Sequence, residues 1–193
     1  LKITEKHLQR KKIILIDRDG TINKKPEKMK YIKKWDQIVL IDSTIRAMIK
    51  LSEMNFKFIL ISNQAGIARG IVSQEEVDEI NSKLKLHLYK KGINLIDCYI
   101  CPHHWDDGCS CRKPKPGMLF KASDDYDLCL PDTLFIGDDV RDVYAANNAG
   151  AKSAIIGPEY NNCDSSEGLP SKSAFELNEM ISWINEIYSD KDI

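Results

Sequence analysis

A chain of 193 residues is long enough for one domain with a full core and short for two, so residues 1–193 are read as a single domain. Hydrophobic residues at 42% and charged residues at 30% exclude a disordered or fibrous polypeptide, and a net charge of −1 gives no global attraction to nucleic acid or membrane. No apolar stretch approaches membrane-spanning length, and the N-terminus lacks the apolar middle of a signal peptide, so a cytoplasmic location is expected.

The chain opens on Leu1 instead of methionine, which suggests a piece trimmed or cut from a longer polypeptide. Two basic runs, Lys2 to Lys12 and Lys24 to Lys34, read as solvated segments. The second follows the first predicted strand and could also meet an anionic substrate.

That strand is Ile13-Ile14-Leu15-Ile16, an apolar run of the kind buried on both faces of a sheet. It ends in Asp17-Arg18-Asp19-Gly20-Thr21. A carboxylate can act as a nucleophile and form an acyl phosphate. A second one, two residues on, can protonate the leaving oxygen and then take a proton from water. Gly20 permits a sharp backbone turn after the strand. By itself the segment could equally be an Asp-rich turn.

Ser43 is placed to cap a helix carrying Ile45, Met48 and Ile49. Lys57 to Ile61 reads as the second strand, and Ser62, Asn63 and Gln64 at its end could hold phosphoryl oxygens without adding charge. Ser73 with Glu76 forms a capping box before Val77, Ile80, Leu84 and Leu88 at helical spacing.

Ile96 to Cys101 reads as the third strand. Cys101, His103, Cys109 and Cys111 then offer three thiolates and an imidazole with no open position, which suits a structural tetrahedral zinc. His104 rivals His103, and Cys98 rivals any of the thiols. Alternation along a strand turns Cys98 away from Cys101, which disfavours Cys98. Cys129 and Cys163 read as ordinary thiols. The loop continues into Arg112-Lys113-Pro114-Lys115-Pro116, where Lys113 could neutralise a phosphate and the Asp17 carboxylate.

Thr133 to Ile136 is the next strand, followed by Gly137-Asp138-Asp139-Val140-Arg141-Asp142. Clustered carboxylates suit magnesium, which prefers oxygen ligands and bridges protein to phosphate. Without a cation, Asp17, Asp19 and Asp138 around one phosphate would repel strongly. A helix near Asp142 to Asn148 stops at Gly150. Ser153 to Ile156 is a strand, Gly157 to Ser171 a loop, and Ser173 with Glu176 a second capping box before the last helix.

Strand and helix alternate throughout, which predicts an α/β, three-layer, Rossmann-like parallel sheet with helices on both faces. Ligands in such sheets bind at the carboxyl ends of the strands, where Asp17, Ser62 and Asp138 should converge. Neither Thr21–Ser62 nor Lys113–Asp138 has room for a separate cap domain, so loops must cover the site.

Taken in order, the four segments resemble the four motifs of haloacid dehalogenase-type phosphatases over roughly residues 13–156. The resemblance implies Asp17 as nucleophile, Asp19 as general acid/base, and Ser62 and Lys113 as phosphate stabilisers. It implies magnesium held by Asp17, the backbone carbonyl of Asp19, and Asp138. With the zinc loop, the chain is similar to the subgroup containing D-glycero-D-manno-heptose 1,7-bisphosphate 7-phosphatase and histidinol-phosphate phosphatase. Asn63 to Gly70 and Cys111 to Met118 are similar to the heptose enzyme, which implies Asn63, Gln64 and Arg112 as substrate contacts. It implies removal of the 7-phosphate in nucleotide-heptose biosynthesis.

The expected partner is therefore a small phosphorylated sugar, with fusion to or action beside another sugar-pathway enzyme, and neither nucleic acid nor membrane. The chain departs from the heptose enzymes at Asp139, where they usually carry a basic residue, and in the Lys24–Lys30 segment, which lacks their glycine-tyrosine pattern. The short His103–Cys109 spacing is closer to the histidinol-phosphate enzyme. The alternatives are a histidinol-phosphate or other small phosphomonoester phosphatase, a polynucleotide 3′-phosphatase (disfavoured by sparse aromatics near the basic loops), and a non-catalytic zinc-stabilised binding domain.

Overall fold

The computed structural model describes residues 11–27, 30–158 and 168–189. Of the features above, the basic segment before Lys11, Lys28, Cys163 and the middle of the Gly157–Ser171 loop lie outside the described residues. Six strands, β1 Ile13–Ile16, β2 Lys57–Asn63, β3 Leu95–Cys101, β4 Leu134–Gly137, β5 Lys152–Ile156 and β6 Lys172–Ala174, pair in parallel. Their order is β3-β2-β1-β4-β5-β6. The helices are α1 Asp42–Glu53, α2 Gln74–Tyr89, α3 Gly117–Tyr126, α4 Val140–Asn148 and α5 Ile181–Ser189.

Successive residues of a strand point to opposite faces, so each apolar run feeds two cores. Ile14, Ile16, Phe58, Leu60 and Ile136 pack with Met48 and Leu51 of α1, Leu84 and Leu88 of α2, and Ile184 of α5. Ile13, Leu15, Ile59, Ile61 and Phe135 pack with Met118, Leu119 and Ala122 of α3 and Ala145 and Ala146 of α4. All of these side chains are buried. Sequence order reverses direction between β1 and β4, and this switch point opens a crevice at their carboxyl ends. Among the described residues no helix is long and apolar enough to cross a membrane.

Two local expectations are corrected. Ser43 lies inside α1, whose N-cap is Ile41 without a side-chain cap. Ile41 N–H is already satisfied by Ile22 O at 2.9 Å, so tertiary docking sets where the helix begins. Ser173 lies in β6, which pairs with the free edge of β5. The capping box falls three residues later, at Glu176 and Glu179. Pairing with β5 satisfies the backbone of 172–174 more fully than a helix start would.

One hydroxyl ties the last helix to the sheet. Tyr188 of α5 accepts from Leu134 N at 3.1 Å and donates to Ile13 O at 2.7 Å, both buried. Tyr188→Phe would strand both backbone groups, so a loss of about 1–3 kcal/mol is expected. Urea unfolding should show a lower midpoint at an unchanged slope; an unchanged midpoint would mean the hydroxyl contributes nothing.

Candidate active site

Asp17 follows β1 directly and Asp138 follows β4, so adjacent strands at the switch point deliver both carboxylates to one crevice. Asp17 N–H is anchored to Ile136 O at 2.9 Å. Gly20 turns with φ +102°, and a Cβ there would overlap the Asp138 carboxylate. Thr21 Oγ1 donates to Asp138 Oδ1 at 3.2 Å. A Cβ on Gly137 would likewise overlap the carboxylate of Asp142. Asp17, Asp138 and Asp142 can bring carboxylate oxygens within 4.8 Å of one another.

Lys113 enters this cluster from the loop after β3. Its ammonium donates to Asp17 Oδ1 at 2.7 Å and Ile61 O at 3.0 Å, and pairs with Asp142 Oδ1 at 2.6 Å. Burial works to lower the Lys113 pKa, but the charges of Asp142 and Asp17 outweigh it and raise it. The lysine is a fixed cation. Burial pushes Asp17 up to about 6; Lys113 opposes and Asp142 adds to the rise. Burial, reinforced by the Asp17 charge, also brings Asp138 to about 6.

Asp19 faces the opposite electrostatics. Burial would raise it, but the Arg18 guanidinium and the Asn23 and Gln64 amides bring it below the usual carboxylate range. Gln64 Nε2 donates to Asp19 Oδ2 at 2.8 Å and Ser62 Oγ at 3.0 Å. The structure thus commits the Gln64 amide to Asp19 and Ser62, and Gln64 is absent from the pocket lining. Asn63 lines the pocket but clamps the Lys113 backbone, accepting from its N–H and donating to its C=O, both at 3.1 Å.

A cavity of about 180 Å³ opens over Asp17, Asp19, Ser62, Lys113 and Asp142. Lys25, Arg112 and Arg141 line it from three separate elements, with Tyr31, Ala65 and Asp139. A larger cavity of about 950 Å³ lies at the amino ends of β1 and β2, lined by Lys11, Ile13 and Lys57. It holds none of these catalytic candidates.

Asp139 caps α4 by accepting from Arg141 N at 3.0 Å. It also receives the Arg141 guanidinium through two bonds of 2.8 and 2.7 Å. Lys25 reaches Asp138 at 2.5 Å and Asp139 at 3.6 Å. Arg141, Asp142, Arg18 and Asn23 had no individual role in the sequence reading, and Lys25 figured only within the basic Lys24–Lys34 run. Asp142 had a signal, since a residue four after Asp138 returns to the same side at the start of a helix. The lysine and arginine had none beyond their charge.

Cys101, His103, Cys109 and Cys111 also meet within 4.8 Å. His103 Nδ1 lies 3.6 Å from Cys101 Sγ and 3.2 Å from Cys111 Sγ, and the Cys101 sulfur lies 3.8 Å from Cys109 and 3.2 Å from Cys111. Zinc–sulfur bonds of about 2.3 Å give a tetrahedron with edges of about 3.8 Å, close to this set. His104 turns instead to Asp106, and Cys98 packs in the core on the opposite face from Cys101. The cluster abuts the pocket, because Arg112 Nη1 donates to His103 O at 3.4 Å.

Raised carboxylates give the site a pH dependence toward divalent cations. Protons must leave Asp17 and Asp138 before a cation binds, and both groups hold them to about pH 6 in the metal-free protein. Affinity for a divalent cation should therefore fall as pH drops below about 6, by about tenfold per unit for each proton displaced. Calorimetric titration at about pH 5, 6 and 7.5 checks this; a pH-independent affinity would rule out these two ligands.

The family model for polynucleotide kinase 3 phosphatase matches residues 12–176. The chain is 35% identical over 152 residues to a D-glycero-beta-D-manno-heptose-1,7-bisphosphate 7-phosphatase of Pasteurella multocida, covering 76% of this chain and 81% of the relative. It is 37% identical over 150 residues to the protein of the same name from Photorhabdus laumondii, covering 74% and 78%. The crystal structure of the D,D-heptose 1,7-bisphosphate phosphatase of B. bronchiseptica, complexed with magnesium and phosphate, superposes with a TM-score of 0.80 at 29% identity, covering 91% of this chain and 98% of that one. These matches span the sheet that carries Asp17, Ser62 and Asp138, and the chain belongs to the polynucleotide kinase 3 phosphatase family of haloacid dehalogenase-type phosphatases.

Proposed function

We propose that the protein is a magnesium-dependent phosphatase that removes the 7-phosphate of D-glycero-D-manno-heptose 1,7-bisphosphate through an aspartyl-phosphate on Asp17. The supporting observation is a pocket with room for one phosphate beside Asp17 and Lys113, rimmed by the three cations Lys25, Arg112 and Arg141. A substrate with a second anionic group explains that rim. The sequence departure at Asp139 loses its force, because Arg141 and Lys25 already partner that carboxylate. Asp139 then serves to orient a guanidinium, whose Nη1 takes no part in that pair and can donate to a phosphate.

The all-oxygen donor set of the carboxylate cluster fits magnesium. Asp17, Asp138 and the backbone carbonyl of Asp19 would hold it, and when bound it would offset phosphate charge beside these carboxylates. An Asp17 oxygen attacks phosphorus while Lys113 holds the other charge in place. The bond from phosphorus to the sugar oxygen breaks, and that oxygen leaves with a proton that Asp19, ionised in the free protein, takes up from the phosphate monoester as substrate binds and then hands on. Asp19, now ionised, takes a proton from water, whose oxygen attacks the aspartyl-phosphate and releases phosphate and Asp17. Ser62 supplies a neutral donor to the phosphoryl oxygens.

A second reading follows from the name of the family model, a 3′-phosphatase acting on nucleic acid. Recognition of a strand needs aromatic platforms and a basic track. Trp35 is engaged with His87 at 5.5 Å between ring centres, and Tyr31 is the aromatic residue lining the pocket. The sugar reading is therefore favoured.

Magnesium-dependent phosphate release decides between them, with heptose 1,7-bisphosphate, histidinol phosphate and a 3′-phosphorylated oligonucleotide compared by kcat/KM. The bisphosphate should lead, and Asp17→Asn should abolish turnover without altering the fold. Arg141→Ala and Arg112→Ala should each lower kcat/KM for the bisphosphate by about 10- to 100-fold, the scale of one charge-assisted contact, while sparing a simple monophosphate. If histidinol phosphate or the oligonucleotide is turned over far better, the heptose assignment is wrong.

We also propose that Cys101, His103, Cys109 and Cys111 bind a structural zinc that fixes the Arg112–Lys113 loop. Elemental analysis should find about one zinc per chain, as a closed four-ligand site requires. Its removal by a chelator should lower activity while the far-ultraviolet circular dichroism of the sheet persists. Folded, active protein free of zinc would refute this site.

A further inference from the structure

A buried polar line runs from the active site to helix α2. The Asp19 carboxylate accepts four hydrogen bonds. Oδ1 takes Arg18 Nε at 3.2 Å and Asn23 Nδ2 at 2.9 Å, and Oδ2 takes Arg18 Nη2 at 2.9 Å and Gln64 Nε2 at 2.8 Å. Arg18 is only 1% exposed, and its Nη1 donates to Asn81 Oδ1 at 3.0 Å.

Asn81 is the anomaly on α2. The other buried residues of that helix are Val77, Ile80, Leu84 and Leu88, an apolar stripe in which position 81 should be aliphatic. Instead it carries an amide that is 5% exposed and whose Nδ2 has no partner among the described residues. The side chain acts through its oxygen, and that oxygen holds Arg18.

A guanidinium is a rigid planar fork. One edge of Arg18 grips Asp19 through Nε and Nη2, and Asn81 pins the far nitrogen. Release of that nitrogen lets the plane pivot, and the carboxylate it grips pivots with it. We propose that Asn81 is a positioning residue for the general acid/base, aiming the Asp19 carboxylate through Arg18. The inference rests on the role given to Asp19 under the proposed function.

The chemistry supplies a readout that a merely structural asparagine would not move. A sugar alkoxide is a poor leaving group and needs the Asp19 proton, whereas p-nitrophenolate leaves without one. Misaimed acid therefore harms sugar-phosphate cleavage selectively. The parameter to compare is kcat/KM, which ends at cleavage of the ester bond and omits the hydrolysis half-reaction common to both substrates.

In Asn81→Leu, kcat/KM for the sugar phosphate should fall about tenfold or more, within the range of a general-acid contribution, and for p-nitrophenyl phosphate by less than about threefold. Asn81→Asp keeps an acceptor oxygen for Arg18 and should restore most of the selective loss. Equal losses on the two esters, or none on either, would overturn the proposal. Should Asn81→Leu fail to fold, Asn81→Ala carries the same comparison. A crystal structure of either variant with Arg18 and Asp19 unmoved would overturn it as well. A parent protein that cleaves neither ester would instead remove the phosphatase reading beneath it.

Discussion

Three acidic side chains whose oxygens approach within 4.8 Å, buried at the mouth of a parallel sheet, are the constraint around which this protein is arranged. At an effective dielectric of about 20, two unit charges at that separation repel by about 3–4 kcal/mol. The fold answers with one buried lysine. Lys113 sits against Asp17 and Asp142, and burial, with the remaining carboxylate repulsion added to it, keeps the pKa of Asp17 and Asp138 raised. Much of the surrounding structure holds that ammonium still. Ile61 O accepts its third hydrogen bond, Asn63 clamps its backbone from both sides, and the cysteine–histidine cluster gathers in the loop just before it.

A second ring of charge lies outside the first. Asp139, Arg141 and Lys25 form a chain of ion pairs over the crevice, anchored at the N-terminus of α4. Under the proposed function, bonds change at the inner ring and the outer ring meets the part of the substrate that projects. Among the described residues no inserted domain stands between strands β1 and β2 or between Lys113 and β4, so the burden of selectivity falls on these side chains.

The architecture was largely legible because its signals are local. Apolar runs of four or five residues, each ending in a polar residue, mark buried parallel strands and the edge where ligands gather. The cysteine–histidine spacing foretold a cluster whose members do meet. What sequence could not disclose depended on three-dimensional docking. Ile41, and not Ser43, opens α1 because it docks on Ile22. Ser173 joins a strand because β5 offers an open edge. Asp139 looked like a misplaced negative charge until its partner Arg141, two residues on, was seen turned back upon it. Gln64 read as a substrate contact, yet its amide faces Asp19, a choice made by a turn that no residue pattern announces.

The central position of β1 also shapes how the molecule comes together. It comes first among the described strands, yet one of its two neighbours is β4, and Thr21 and Asp138, which meet at their ends, are 117 residues apart. The bond from Tyr188 to Ile13 spans 175 residues. Long-range closures of this kind slow folding because chain entropy is lost before contacts repay it. During synthesis β1 and β2 can pair early, leaving one apolar edge of β1 without its partner until more than half the sequence has followed. The acidic cluster therefore assembles late, so its mutual repulsion burdens the closing step of folding and not the founding one.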